Sequence, residues 1–230
     1  PNITRLFSEI IAIWVVTFWK SIGSPKKFNL LELGAGNGEM MKVIWATLKN
    51  FPECFNSCSF LIHEKSDFLI NKQKRNLKSE KISWIKDIKQ VNSHPTIFLA
   101  NEFFDALPIK QFFKKKEDWI ERFVDLKEEN KAEFKEQLTD IKKIEQQLNF
   151  EISKNQNIIE YSPDTFKYLK NICSIVNKND GGILIIDYGY LSSKMHETLQ
   201  AVNNHKHSNV LEDIGDSDIT YNINFNLFNK

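Results

Sequence analysis

A chain of 230 residues has room for one domain of ordinary size, or a domain with a small insertion, and for a substantial core. Its 31 Lys and Arg against 30 Asp and Glu leave a formal charge of +1, which removes any global field favouring nucleic acid or an anionic membrane. A hydrophobic fraction of 41% is too high for disorder, and three cysteines are too few and odd in number for a disulfide framework.

The chain opens on apolar residues at helical spacing: Leu6, Phe7, Ile10, Ile11, Ile13, Trp14 and Phe18. Gly23-Ser24-Pro25 closes the segment. The ten-residue apolar run Ile10 to Trp19 falls well short of the roughly 20 residues that span a bilayer, so it is expected to be a buried helix rather than a membrane insertion. Phe28 to Leu33 reads as a strand that breaks into Gly34-Ala35-Gly36-Asn37-Gly38. A helical pattern follows at Met41, Ile44, Trp45 and Leu48. Cys54 and Cys58 with His63 lack a fourth ligand at a plausible spacing, so a metal site is not expected.

The alternation continues with strands at Ser59 to His63, Ile82 to Ile85 and Thr96 to Ala100, and a helix at Ser66 to Leu77. A further helix at Pro163 to Val176 leads to a buried strand at Gly182 to Ile186. This rhythm predicts an α/β fold, a Rossmann-like, mainly parallel twisted sheet with helices on both faces. Two stretches break the rhythm. Pro108 to Leu126 reads as a hairpin about the Lys114-Lys115-Lys116-Glu117-Asp118 turn, and Glu128 to Gln147 as a charged helix with Phe134, Leu138, Ile141 and Ile144 on one face. Residues 108–150 are therefore expected to form an insertion within a single domain spanning 1–230. Without an initiator Met, and ending shortly after an apparent strand, that domain is expected to be truncated at both ends.

Three of the chain's eight glycines lie within five residues directly after the first strand. Alternating glycines there allow positive φ and a close approach of backbone to a ligand, at the sheet edge where open α/β folds bind ligands. A dinucleotide fingerprint would need glycine at position 39, which is Glu39. Glu32 ahead of Gly34, Gly36 and Gly38 suits S-adenosyl-L-methionine, whose methionine end carries an ammonium and a sulfonium. A tight turn with a structural carboxylate is the alternative. Glu64, after the second strand, fits either a ribose-binding acid or a solvated one. Asp87 fits an adenine contact or a helix N-cap before Ile88.

Asn101-Glu102-Phe103-Phe104-Asp105-Ala106-Leu107-Pro108 directly follows the fourth strand, where a catalytic site is expected; Asp105 as a helix cap and the phenylalanines as core would explain part of it. These residues carry a family resemblance. The chain resembles the MidA-like family of class I S-adenosylmethionine-dependent methyltransferases, which includes a mitochondrial complex I assembly methyltransferase. Asn101 to Pro108 matches the family's N-E-F-F-D-A-L-P signature, and Glu32 to Gly38 its E-L-G-P-G-x-G loop. Pro1 to Glu9, Trp119 with Glu121 and Arg122, Glu160 to Pro163, Asp187-Tyr188-Gly189, Thr198 to Ala201 with His205, and Asp218 to Thr220 match further elements in order. Departures are Asn2 for Glu, Ser8 for Gly, Ala35 for Pro and Asn224 for Asp.

The resemblance implies methyl transfer to a protein arginine, with a respiratory complex subunit as a candidate partner. The Lys-, Asn- and Ile-rich composition with few glycines suggests an AT-rich genome and a bacterial cytoplasm, with the mitochondrial matrix as the location in a eukaryote. On that reading Glu102 and Asp105 grip the guanidinium, Asn101 orients it, and Tyr188 and His205 shape the acceptor pocket. A noncatalytic S-adenosylmethionine-binding assembly factor and a small-molecule methyltransferase are the competing functions.

Overall fold

The computed structural model describes residues 5–78, 81–127, 131–203, 206–212 and 215–229. In chain order the elements begin with α1 (Arg5–Ser21), β1 (Phe28–Leu33), α2 (Glu39–Leu48), α3 (Pro52–Ser57), β2 (Cys58–His63), α4 (Asp67–Leu77), β3 (Ile82–Ile85) and β4 (Thr96–Asn101). They continue with β5 (Lys110–Lys115), β6 (Asp118–Leu126), β7 (Ala132–Thr139), α5 (Ile141–Leu148), β8 (Ile158–Tyr161), α6 (Pro163–Asn179) and β9 (Gly181–Ile186). Short strands β10 (Gly189–Tyr190), β11 (Gln200–Asn203), β12 (Lys206–Ser208), β13 (Asp218–Thr220) and β14 (Ile223–Asn224) follow, and a 3-10 helix at Phe225–Asn229 ends the described elements. Two compact units result: residues 1–103 with 169–186, and residues 104–168 with 187–230.

The first unit is built on a five-stranded parallel sheet in the order β3-β2-β1-β4-β9. All six residues of β1 are buried, as a central strand covered on both faces requires. The core gathers Ile11, Val15 and Trp19 of α1, Met41 and Ile44 of α2, and Phe28, Phe60 and Ile97 of the sheet. Trp19 fixes the turn after α1 by donating its indole N–H to the Pro25 carbonyl at 3.0 Å. The apolar run of α1 is less enclosed than expected: Leu6, Ile10 and Ile13 are exposed. No helix among the described residues is long and apolar enough to cross a membrane.

Strand order reverses between β1 and β4, since β2 and β3 extend to one side and β9 lies on the other. At such a reversal the loops leaving neighbouring strands diverge and open a crevice at their carboxyl ends. The register pairs Leu33 with Ala100, so the glycine loop and the Asn101-Glu102 segment emerge side by side.

The second unit contains the antiparallel sheet β7-β6-β5-β8, whose inner face carries Phe112, Trp119 and Ile159 against Ile141 of α5, Ile152 and Met195. The β5–β6 hairpin appears as expected. The helix expected over Glu128 to Gln147 does not: residues 132–139 form β7 and only Ile141–Leu148 is helical. Phe134 and Leu138 are four apart, a spacing that fits one helix face and also one strand face. The alternation of Ala132, Phe134, Glu136 and Leu138 with charged or polar neighbours decides for the strand once β6 supplies a partner. The segment expected as an insertion, 108–150, lies within this unit.

Within the second unit, matched motif elements converge on a buried carboxylate. Glu160 accepts from Gln111 Nε2 at 2.7 Å and from the Thr198 backbone N–H at 3.2 Å, and also from the Thr198 hydroxyl. Ser162 Oγ caps α6 by accepting from the Thr165 N–H at 3.2 Å.

Candidate functional site

The glycine loop takes its shape from three positive φ angles, +63° at Gly34, +52° at Gly36 and +82° at Gly38. Gly38 N–H donates to the Ala35 carbonyl at 2.7 Å, tightening the turn, and Gly38 is the N-cap residue of α2. A Cβ at Gly34 would lie 2.7 Å from the Phe103 ring, so this glycine admits the phenylalanine of the fourth-strand motif. A Cβ at Gly36 would meet nothing within 4 Å, so that position faces open space.

The space is a cleft of about 1570 Å³ lined by Glu32, Gly34, Gly36, Asn101 and Glu102, with α1 contributing Ile10 and Trp14. Glu32 is only 3% exposed, and its Oε2 has no hydrogen-bond partner among the described residues. Burial pushes its carboxyl up to about 8, a shift that a hydrogen bond from the Met41 backbone only partly opposes. A buried acceptor left unsatisfied at the wall of a cleft is a site for a cationic or hydrogen-bond-donating ligand.

Glu102 adopts φ +48°, a left-handed conformation that costs a non-glycine residue about 1 kcal/mol or more. Its N–H donates to the carbonyl of Ile186 at 2.9 Å, which pins the strained turn to the end of β9. The strained residue and Asn101 both line the cleft.

Glu64, mostly buried, directly follows β2. Its Oε1 accepts the backbone N–H groups of Lys65 and Ser66, each at 2.9 Å, and its Oε2 accepts from Gln73 Nε2 at 3.3 Å. Asp87 is exposed and forms a capping box: Oδ1 accepts from Lys89 N–H at 2.9 Å, while Gln90 Oε1 accepts from the Asp87 N–H at 3.3 Å.

Asp105 belongs to the second unit and is buried. No helix follows it, so the helix-cap alternative does not hold; a turn forms instead, in which Leu107 N–H donates to the Phe104 carbonyl at 3.2 Å. Asp187 does the capping instead, its Oδ2 accepting from the Phe104 N–H at 3.0 Å and the Asp105 N–H at 3.4 Å. Tyr188 is 60% exposed and its N–H donates to Asp187 Oδ1 at 2.9 Å. His205 lies outside the described residues.

Residues 10–230 match the family described as "Putative S-adenosyl-L-methionine-dependent methyltransferase". The chain belongs to that family. Among similar curated proteins, the mitochondrial protein arginine methyltransferase NDUFAF7 of Xenopus laevis is 26% identical over 268 residues, covering 100% of this chain and 58% of the relative. The Caenorhabditis elegans homologue is 28% identical over 247 residues, covering 98% of this chain and 58% of its own length. The chain thus spans somewhat under three-fifths of these relatives.

A crystal structure of a Burkholderia thailandensis protein bound to S-adenosyl-homocysteine superimposes with a TM-score of 0.78 at 18% identity, covering 99% of this chain and 60% of that one. A native crystal structure of a Burkholderia thailandensis protein, solved with iodide ions, gives the same TM-score at 18% identity. The likeness establishes the class I methyltransferase-like α/β fold for this family member. In it, Glu32, Gly34, Gly36, Asn101 and Glu102 line one cleft. Glu64 and Asp87 stand on the loops leaving β2 and β3, and Asp105 and Tyr188 are in the second unit. Gln73, which bonds both the glycine loop and Glu64, is not singled out by sequence reasoning: a glutamine inside a predominantly polar helix carries no signal of its own.

Proposed function

We propose that the chain carries the cofactor-binding and transfer site of an S-adenosylmethionine-dependent methyltransferase acting on an arginine side chain of a protein. One observation carries the reading: the buried, half-satisfied Glu32 carboxyl and the open Gly36 position share a cleft with Asn101 and Glu102 at the sheet's switch point.

These residues fit the cofactor. The orphaned Glu32 oxygen suits its ammonium, the side-chain-free loop leaves room for its methionine end, and Glu64 and Asp87 are assigned to the ribose and adenine. When bound, the cofactor supplies an electrophilic methyl group. A guanidinium has a pKa above 12, so the protein must hold a cation, orient one nitrogen and accept a proton. Glu102 grips the guanidinium through charge-assisted hydrogen bonds and receives that proton, Asn101 orients it, and Asp105 is assigned as the second carboxylate. Tyr188 and His205 shape the acceptor side. No enzyme nucleophile is required, and most of the acceleration comes from positioning.

We assign the acceptor to a protein, with a respiratory complex subunit as the first candidate. The curated relatives are named as mitochondrial. For this chain the matrix is proposed in a eukaryote and the cytoplasm in a bacterium. The residues 1–230 are proposed to act as one methyltransferase domain, with 108–150 inserted in it. Mass spectrometry of a proteome incubated with the full-length protein and an isotopically labelled methyl donor tests the assignment. Label on protein arginine supports it; label confined to small molecules, or cofactor binding without transfer, refutes it in favour of one of the two competing functions.

A further inference from the structure

Gly34, Gly36 and Gly38 have no side chains with which to hold the loop's shape, and Glu64 needs a fixed orientation if it is to receive ribose hydroxyls. A single side chain serves both. Gln73 is fully buried in the middle of α4, a position where leucine would satisfy packing alone. Its carboxamide is used at both ends: Nε2 donates to the Gly36 carbonyl at 2.9 Å and to Glu64 Oε2 at 3.3 Å, and Oε1 accepts from the Trp84 indole N–H at 2.8 Å. An indole is a donor only, so Trp84 fixes which end of the amide is oxygen and aims the NH2 group at the two oxygens.

The neighbouring contacts agree. One turn along the same helix, Asn76 Nδ2 donates to the Asn37 carbonyl at 3.0 Å, so two residues three apart on α4 hold consecutive loop carbonyls. Glu64 Oε1 is already occupied by two backbone N–H groups, and its Oε2 receives one hydrogen bond from Gln73. An anionic carboxylate oxygen has a second acceptor position, which is left for a ligand hydroxyl.

We propose that Gln73 is a positioning residue for the cofactor, locking the glycine loop and the Glu64 carboxylate into one rigid unit. The inference rests on the reading that this cleft takes S-adenosylmethionine. Gln73→Met keeps the volume of the side chain and deletes all three hydrogen bonds. Measured by calorimetry on the full chain, its affinity for S-adenosyl-homocysteine should fall about tenfold to a hundredfold, the loss expected for hydrogen bonds that organise a charged group. Affinity for 5′-methylthioadenosine, which keeps the ribose and lacks the amino-acid end, should fall in parallel.

In a Glu64→Ala background the Gln73→Met effect should shrink to a few fold, because one of the two partners through which it acts is gone and only the loop contact remains; a merely structural role would give additive losses. Trp84→Phe, which keeps a ring and removes the indole N–H, should weaken binding several fold, and decides the matter if Gln73→Met does not fold. Binding by the wild type with Gln73→Met or Trp84→Phe unchanged, or additive losses in the double variant, would overturn the role of Gln73 alone. No binding by the wild type would overturn the cofactor reading and this inference with it.

Discussion

Replacing Glu32 by Gln removes a buried acid that the cleft leaves half satisfied, and its consequences can be worked from the structure. Burial raises the carboxyl from an ordinary 4.5 to about 8 in the folded protein. The folded state therefore binds more protons than the unfolded chain between those two values. Stability from this group is greatest below pH 4.5, falls as pH rises through the window, and levels off above about 8. The slope is about 1.4 kcal/mol per pH unit, and the full window amounts to roughly 5 kcal/mol. Glutamine has no such titration. The difference in unfolding free energy between Glu32→Gln and wild type, from urea melts at pH 5, 6, 7 and 8, cancels the other titrating groups, including the buried His63, whose pKa burial lowers.

That difference should grow in favour of the variant with each step in pH. Ligand binding supplies the second arm. If Glu32 meets the ammonium of the cofactor, binding near neutral pH must release the proton. Wild-type affinity for S-adenosyl-homocysteine should then rise by up to about tenfold per pH unit below pH 8, and the calorimetric enthalpy should depend on buffer ionisation. Glu32→Gln should bind more weakly, with that pH dependence lost. A pH-independent stability difference would refute the buried-acid argument, and identical pH profiles of binding would refute contact with the ammonium.

Two further substitutions probe the same cleft. Gly34→Ala places a Cβ 2.7 Å from the Phe103 ring at φ +63°, and should cost about 1–3 kcal/mol of stability in denaturant melts; an unchanged midpoint would mean that the ring yields freely. Glu102→Gln keeps the side chain's shape at the strained turn but removes its charge. In the full-length protein it should abolish methyl transfer while S-adenosyl-homocysteine affinity stays within a few fold, and intact turnover would reject Glu102 as the guanidinium clamp.

The parallel sheet was legible because buried strands, glycine punctuation and apolar helix faces all pointed the same way. Ser66 ahead of α4 and Asp87 ahead of Ile88 act as N-caps through their side chains. The 132–139 strand was not legible, because its apolar residues fit two periods and only pairing with β6, which the helical reading left without a third strand, decides between them. The exposed face of α1 at Leu6, Ile10 and Ile13 was likewise hidden, since hydrophobicity predicts what favours burial and not what is covered.

At the site, the glycine spacing and Glu32 announced the cleft, because positive φ angles and an acid at a strand end leave marks in the sequence. Asp187 as the cap of the Phe104-Asp105 turn and Gln73 as the tie between loop and carboxylate depend on contacts between residues 83 and 37 positions apart, which no spacing rule reaches.

Calorimetric titration of S-adenosyl-homocysteine into the wild-type chain and into Gly36→Val tests the central claim most directly. A valine there projects into the open cleft from a backbone at φ +52°. Saturable one-site binding by the wild type, with at least a tenfold loss in a folded Gly36→Val protein, is the predicted result. Equal affinity in the two proteins, or no binding by the wild type, would contradict it.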